Sequence, residues 1–518
     1  MTVYSDSPFF CGGNRGHDAE VSIAAPAGAH PAPDSRPLVS NAESRTVAHH
    51  ANAARITQRG ERLLQALILG YTLLYTALCW RRFATFHAQI DMSYYLRLIW
   101  GLGHGHSDLP LVRAPHVLGL HLEPGVLPLC LLGRLGVPLP PLLLFTQALA
   151  VALLAWPAYR LGARHLTALL PTSLPSAQRP ATAGLLAALC ALIYPTVTVA
   201  TLHDFHPVTL ALTPLLFVIE GLEAGAPRRA FLAGLLALSC REDIALQLAC
   251  LLFAYSLRPA ATRPLSRRTA CILVGLLLLY CGVYLLVIQP RFVPAVGSYH
   301  LHFDRIAAAL GTPIGSSRDL VLAALRHPLR MLAFFATSDR LLYPLLLLFP
   351  VAFLGLLSPL PLAGALPIVG INFLSGFPGV LRLESHYTTA IVPFVLGAGI
   401  LGAGRLGNFL SRRAASDRLR WGCLAALFFC GFFAHLLHGG SPLALLSTRF
   451  AWRDFIDGKE APGLRRQIAA VPPSASVAAR PGPLAHLAER PRAMSPPEYD
   501  DGKPTDVTIG GEKMAPKN

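Results

Sequence analysis

Residues 269–288 read TACILVGLLLLYCGVYLLVI, twenty residues without a charge, between Arg267-Arg268 and Pro290-Arg291. A helix rises about 1.5 Å per residue, so a run of that length crosses the ~30 Å hydrocarbon core of a bilayer. Working outward, comparable runs occur at Leu63–Trp80, Leu142–Leu161 and Trp421–Leu437. The whole chain is 53% hydrophobic and 14% charged. A soluble globular protein carries about 25% charged residues. The pattern predicts an all-α polytopic membrane protein.

Basic residues outnumber acidic ones, giving a net charge of +16. They sit mainly in short loops between apolar runs, the positive-inside arrangement of a membrane protein rather than a nucleic-acid surface. No nucleic-acid partner is expected. Arg45, Arg55, Arg59 and Arg62 precede the first run and place the N-terminus in the cytoplasm. Threading from there gives about eleven transmembrane helices and an outer C-terminus. Residues 1–61 read as a disordered cytoplasmic arm, 62–440 as the helical membrane domain, and 441–518 as a small outer tail, partly disordered. Long outer loops are expected at 81–139 and 289–340. The apolar stretch 230–257 is interrupted by Arg241-Glu242-Asp243; two short spans meeting there keep the Arg258–Arg268 loop inside.

Nine of the ten cysteines lie in or beside apolar runs, with the spacing of neither a disulfide framework nor a zinc site. They read as small buried hydrophobes. No P-loop, GxSxG, HExxH or CxxC occurs, which leaves ATPase, hydrolase, zincin and thioredoxin chemistry without support. In the tail, ASVAA (475–479) and LAHLAE (484–489) suggest a small, poorly packed appendage.

In this threading most unusual polar clusters share the outer side. They are Asp91 in FHAQIDMSYYLRLIWGLGHG, His121 and Glu123 in HVLGLHLEP, and Asp204 and His206 in DFHP. Arg241, Glu242 and Asp243 follow in REDIAL, then His300, His302 and Asp304 in SYHLHFD, then His386 and Tyr387 in ESHYTT. Asp91 is the candidate general base; a lone interfacial acid paired with an arginine is the competing explanation. Acids that interrupt an apolar stretch invite a functional role, so Glu242 and Asp243 are candidates to bind a cation or substrate, against simple pairing with Arg241. His300, His302 and Asp304 alternate, so an extended strand puts them on one face. Together with Glu242 and Asp243 they are the candidate ligands for a divalent cation.

Taken in order, these segments resemble a bacterial family of predicted membrane proteins, domain of unknown function 2079. The resemblance rests on DMSYYLRLIWGLGHG with Asp91 and Trp100, on HLEP with His121, and on Tyr194-Pro195 followed by DFHP at 204–207. It continues through Glu242-Asp243, His386-Tyr387 and the tail phrase VPPSASVAARPGPLAHLAERPRAM (471–494), covering roughly residues 62–510. That family is similar in architecture to the GT-C glycosyltransferases, which have many spans and a catalytic acid in the first outer loop. The resemblance implies a bacterial inner-membrane protein with Asp91 at the position of that acid. It also implies a sugar donor on a polyprenyl-phosphate carrier, bound among His121, Glu123, Asp204, His206, Arg241, Glu242, Asp243, His386 and Tyr387. Membrane lipid is the other expected partner. Two other functions remain open: a lipid or solute transporter, and a non-catalytic membrane scaffold.

Overall fold

A computed structural model of the chain describes residues 41–107, 116–292, 306–314, 317–375, 377–494, 508–509 and 512–513. The chain divides into two units, Met1–Asn52 and Ala53–Asn518. In the first, residues 41–52 are helical. The second holds the remaining described residues.

Apolar runs fold into helices because each residue's N–H and C=O must be satisfied within the chain where water is absent. Among the described residues, five helices are long and apolar enough to cross a bilayer: Gln58–Ala84, Leu139–His165, Arg267–Arg291, His386–Arg412 and Asp417–His438. Two more crossings arise if each bent pair is one span. These are Arg179–Leu192 with Pro195–Leu202, bent by 55°, and Pro328–Phe335 with Ser338–Val351, bent by 48°. The chain is therefore an integral membrane protein with five to seven candidate spans among its described residues. The other four segments counted from sequence are helices of less than crossing length: Leu212–Glu223, Pro227–Leu238, Ile244–Ser256 and Leu360–Leu374. Hydropathy sums apolar residues and does not register the breaks that proline introduces, as at Pro195 and Pro207.

The helix His386–Arg412 is central, with 89% of its apolar window buried, whereas Arg267–Arg291 and Asp417–His438 bury 11% each and present their sides outward. Close packing of the central helix depends on missing side chains. A Cβ on Gly402 would meet the Leu354 carbonyl, and one on Gly404 the His165 carbonyl. Small residues at helix interfaces let backbones approach in this way.

At one end of the bundle, Glu220 is fully buried and surrounded by arginines. Arg160 Nε lies 3.0 Å, Arg164 Nη1 3.4 Å and Arg229 Nη1 2.9 Å from its Oε1. This carboxylate joins Leu139–His165, Leu212–Glu223 and Pro227–Leu238 at arginines that the charge pattern assigns to the inner loops. A buried charge persists when it is paired and hydrogen-bonded, as here.

The tail is better packed than its composition suggests. Leu484, Ala485, Ala488 and Ala493 are almost completely buried. Val477–Ala478 pairs in parallel with Ala493–Met494. The tail is fastened to the first loop: Ser93 Oγ donates to the Pro481 carbonyl at 3.2 Å, and Arg97 Nη2 to the Pro491 carbonyl at 3.0 Å. Alanines and prolines carry little hydropathy, but backbone carbonyls supply this contact. The nine described cysteines are all free.

Candidate functional site

The site begins with the helix Ile90–Gly103, directly after the first long helix. Its Ncap residue, Gln89, is extended and provides no side-chain cap. The cap comes instead from Asp204, over a hundred residues away. Its Oδ1 accepts the Gln89 N–H at 3.1 Å and its Oδ2 the Met92 N–H at 2.9 Å. A carboxylate here satisfies otherwise orphaned amides and complements the positive end of the helix dipole. Arg82 Nη1 stands 3.9 Å from Oδ1. Burial pushes the Asp204 carboxyl up, and Arg82 and the two amides only partly offset this.

The peptide around Asp204 is held by Gln147, a fully buried residue in the apolar helix Leu139–His165. Its Nε2 donates to the carbonyls of Ala200 and His203, each at 3.1 Å. Its Oε1 accepts the His206 N–H and the Thr209 hydroxyl, each at 2.9 Å. One side chain thereby satisfies the backbone where Pro195–Leu202 ends and Pro207 begins the next turn. Sequence reasoning passed over Gln147. Its signal was a lone amide within a charge-free run, where an unsatisfied polar group is costly.

With both flanks fixed, His206 and Asp91 meet. His206 Nε2 lies 3.3 Å from Asp91 Oδ2, and its Nδ1 lies 2.9 Å from the Asp204 carbonyl oxygen. His386, at the start of the central helix, stacks on His206 with ring centroids 4.5 Å apart and planes at 18°. The Tyr387 ring is 4.0 Å from that of His386, and the Tyr95 ring closes the other side of His206 at 5.7 Å. The Asp91 side chain remains 38% exposed, whereas that of His206 is 9% exposed. Burial raises the Asp91 carboxyl, but contact with His206 and the neighbouring imidazoles outweigh it and hold the group below its usual range. Burial lowers His206, and Asp91 more than reverses this.

A second cluster adjoins the first. Glu242 Oε1 lies 2.9 Å from His121 Nδ1, and its Oε2 accepts the Leu122 N–H at 2.9 Å. Arg241 forms a two-point fork with Asp243, Nε to Oδ1 at 2.7 Å and Nη2 to Oδ2 at 2.6 Å. Glu123 accepts the Tyr95 hydroxyl at 3.2 Å. Burial pushes Glu123 up to about 7, with Glu242 adding to the rise against the opposing pull of His121. These contacts clamp the segment 116–126 onto the break between Pro227–Leu238 and Ile244–Ser256.

The structure thus joins Asp91, His206, His386 and Tyr387 in one constellation, and His121, Glu123, Arg241, Glu242 and Asp243 in its neighbour. Asp204 supports the first from behind, with both oxygens committed to the helix cap. Asp243 is committed to Arg241, and Glu242 to His121 and Leu122. His300, His302 and Asp304 lie outside the described residues. Among the described residues, metal-ligand spacing occurs at Asp91, His206 and His386, one ligand atom of each lying within 4.8 Å of the others. The sequence put these three in separate catalytic and substrate-binding roles because the positions lie far apart along the chain.

The family described as "Predicted membrane protein (DUF2079)" matches residues 82–506. No curated protein matches the chain.

Proposed function

The chain belongs to the DUF2079 family of predicted membrane proteins, and from that premise we propose that it is a GT-C-like glycosyltransferase of the bacterial inner membrane. It takes a sugar from a polyprenyl-phosphate donor and passes it to an acceptor on the outer face. The bundle then carries about eleven membrane-embedded helical segments, with the N-terminus inside and the C-terminus outside.

The observation that carries this reading is the state of the acids. Asp204, Glu242 and Asp243 have oxygens engaged by protein partners, whereas Asp91 keeps a half-exposed carboxylate facing two imidazoles. Its carboxyl is held low by the imidazoles, so it is ionised at neutral pH with a reduced proton affinity, and its part as base rests on position rather than on basicity. In the proposed step Asp91 takes the proton of the acceptor hydroxyl. The acceptor oxygen bonds to the anomeric carbon as the bond from that carbon to the phosphate oxygen breaks, with inversion. Polyprenyl phosphate leaves with the electron pair. Arg241, held rigid by its fork to Asp243, and His386 and Tyr387 stand on the donor side to stabilise the phosphate charge.

The test uses membranes containing equal amounts of wild-type protein or the Asp91→Asn variant, supplied with a panel of labelled polyprenyl-phosphate sugars. Wild type consumes a donor; the variant consumes it at least about 100-fold more slowly, the usual scale of general-base catalysis. Equal rates would remove Asp91 as the base. No consumption of any donor by wild type would remove the transferase reading.

A further inference from the structure

We propose that Asp91, His206 and His386 bind a divalent cation of the borderline class, such as zinc or cobalt, between their facing ligand atoms. As a cofactor for sugar transfer the ion rests on the reading above; as a bound ion it does not.

The Asp204 carbonyl oxygen can only accept, so at 2.9 Å from it His206 Nδ1 must carry a hydrogen. In a neutral imidazole the remaining nitrogen, Nε2, then presents a lone pair. That lone pair faces Asp91 Oδ2, another acceptor, at 3.3 Å. Two acceptors at this separation need a positive charge between or beside them. A second proton on His206 supplies one; a metal ion supplies it with a further use. His386 is stacked at 4.5 Å on the same ring, which crowds a third candidate ligand against the pair. An ion held by both rings and the carboxylate turns that crowding into ligation.

Support around the trio is also of the kind that metal sites use. A ligating imidazole commonly donates its other N–H to a carbonyl, which fixes tautomer and ring orientation. His206 does so to Asp204, and Gln147 fixes the His206 backbone in turn. Ligand atoms on a tetrahedral ion at about 2.1 Å lie roughly 3.4 Å apart. The Asp91–His206 separation already fits, and all three ligand atoms are within 4.8 Å. To bring a ring nitrogen to that distance, His386, which is partly exposed at its helix start, turns out of its stack on His206 when the ion binds.

The donor set selects the metal. Two imidazole nitrogens and one carboxylate oxygen favour zinc, iron or cobalt over calcium, magnesium and manganese, which prefer oxygen ligands. Three protein ligands leave a position open to a substrate oxygen. For a phosphate-linked donor, an ion there would offset the charge on the leaving phosphate.

The experiment uses full-length protein in nanodiscs, with any affinity tag removed and metal stripped by chelator. Cobalt(II) is titrated while its visible ligand-field bands are followed, and zinc is then added in competition. Metal content is measured separately by mass spectrometry. About one ion per chain is expected. His206→Ala and His386→Ala should each weaken binding by more than the about 10–100-fold typical of losing a supporting residue. His104→Ala, at the exposed C-terminal end of Ile90–Gly103, should leave it unchanged, and thermal unfolding checks that each variant is folded. Failure of wild type to bind, or binding that survives both histidine variants, overturns the proposal. Donor consumption without bound metal would sink the ion and spare the transferase reading. A bound ion without donor consumption would do the reverse.

Discussion

Gln147 Oε1 accepts the backbone N–H of His206 at 2.9 Å from the middle of an otherwise apolar helix. The same amide donates to the Ala200 and His203 carbonyls, so the broken backbone between Pro195–Leu202 and Pro207 is satisfied by one side chain. Gln147→Leu keeps the shape and removes all of these bonds. Buried groups left unsatisfied cost about 1–3 kcal/mol each before relaxation. Thermal unfolding in detergent should therefore fall clearly for Gln147→Leu, and also for Gln147→Glu, whose second oxygen would face the Ala200 and His203 carbonyls without a hydrogen to donate. An unchanged midpoint in Gln147→Leu would show that water or neighbouring groups satisfy this backbone instead.

Asp204 was read from sequence as a substrate contact, and its geometry makes it the cap of Ile90–Gly103. Losing a cap costs about 0.5–2 kcal/mol. Asp204→Ala should lower stability on that scale and speed proteolysis within the first loop, with Asp204→Asn intermediate because it retains one acceptor. If Asp204→Ala left both measures at wild-type values, the capping role would be wrong.

What the sequence revealed follows from which interactions are local. The run 269–288 announced a span because hydropathy is a property of neighbouring residues, and the structure has one continuous helix there. The charged interruption at Arg241–Asp243 announced a helix break, which the structure places between Leu238 and Ile244. Crossing lengths were harder to read, because the 55° bend between Leu192 and Pro195 depends on packing as well as on proline. The contact of Asp91 with His206 and His386 was legible only as a shared side of the membrane. It is set by Asp204 capping a helix far away in sequence and by Gln147 fixing the turn, neither of which leaves a local pattern. The tail's attachment was hidden likewise, since Ser93 and Arg97 bind backbone carbonyls, which every residue has.

Glu123 gives the first cluster's neighbour a pH dependence. Burial raises its carboxyl to about 7 in the folded protein, against an ordinary value near 4.5. The folded state therefore holds a proton that the unfolded state releases, and stability declines as pH rises through this window, levelling above about 7. Roughly 3 kcal/mol is at stake for a shift of this size at a buried site. Glu123→Gln retains an acceptor for Tyr95 and cannot ionise. It should flatten the dependence of the unfolding midpoint between pH 5 and 8 and be the more stable form at pH 8. Parallel profiles for the two proteins would assign the dependence elsewhere.

The His121–Glu242 contact should show a dependence of its own. The two side chains are 2.9 Å apart, with His121 40% and Glu242 5% exposed. Burial lowers His121, but Glu242 reverses this and leaves its pKa raised. A raised histidine contributes fully below its unfolded value and loses that contribution as pH climbs through the folded one. Solvent at His121 screens the pair, so its coupling should be about 1 kcal/mol rather than the larger value of a dry ion pair. A double-mutant cycle of His121→Ala and Glu242→Gln, read by thermal unfolding, isolates that coupling. It should be largest near pH 6 and shrink by pH 9 without vanishing, because neutral His121 can still donate from Nδ1 to Glu242. Coupling that is constant across this range would mean that His121 is never charged there and that the clamp is an ordinary neutral hydrogen bond.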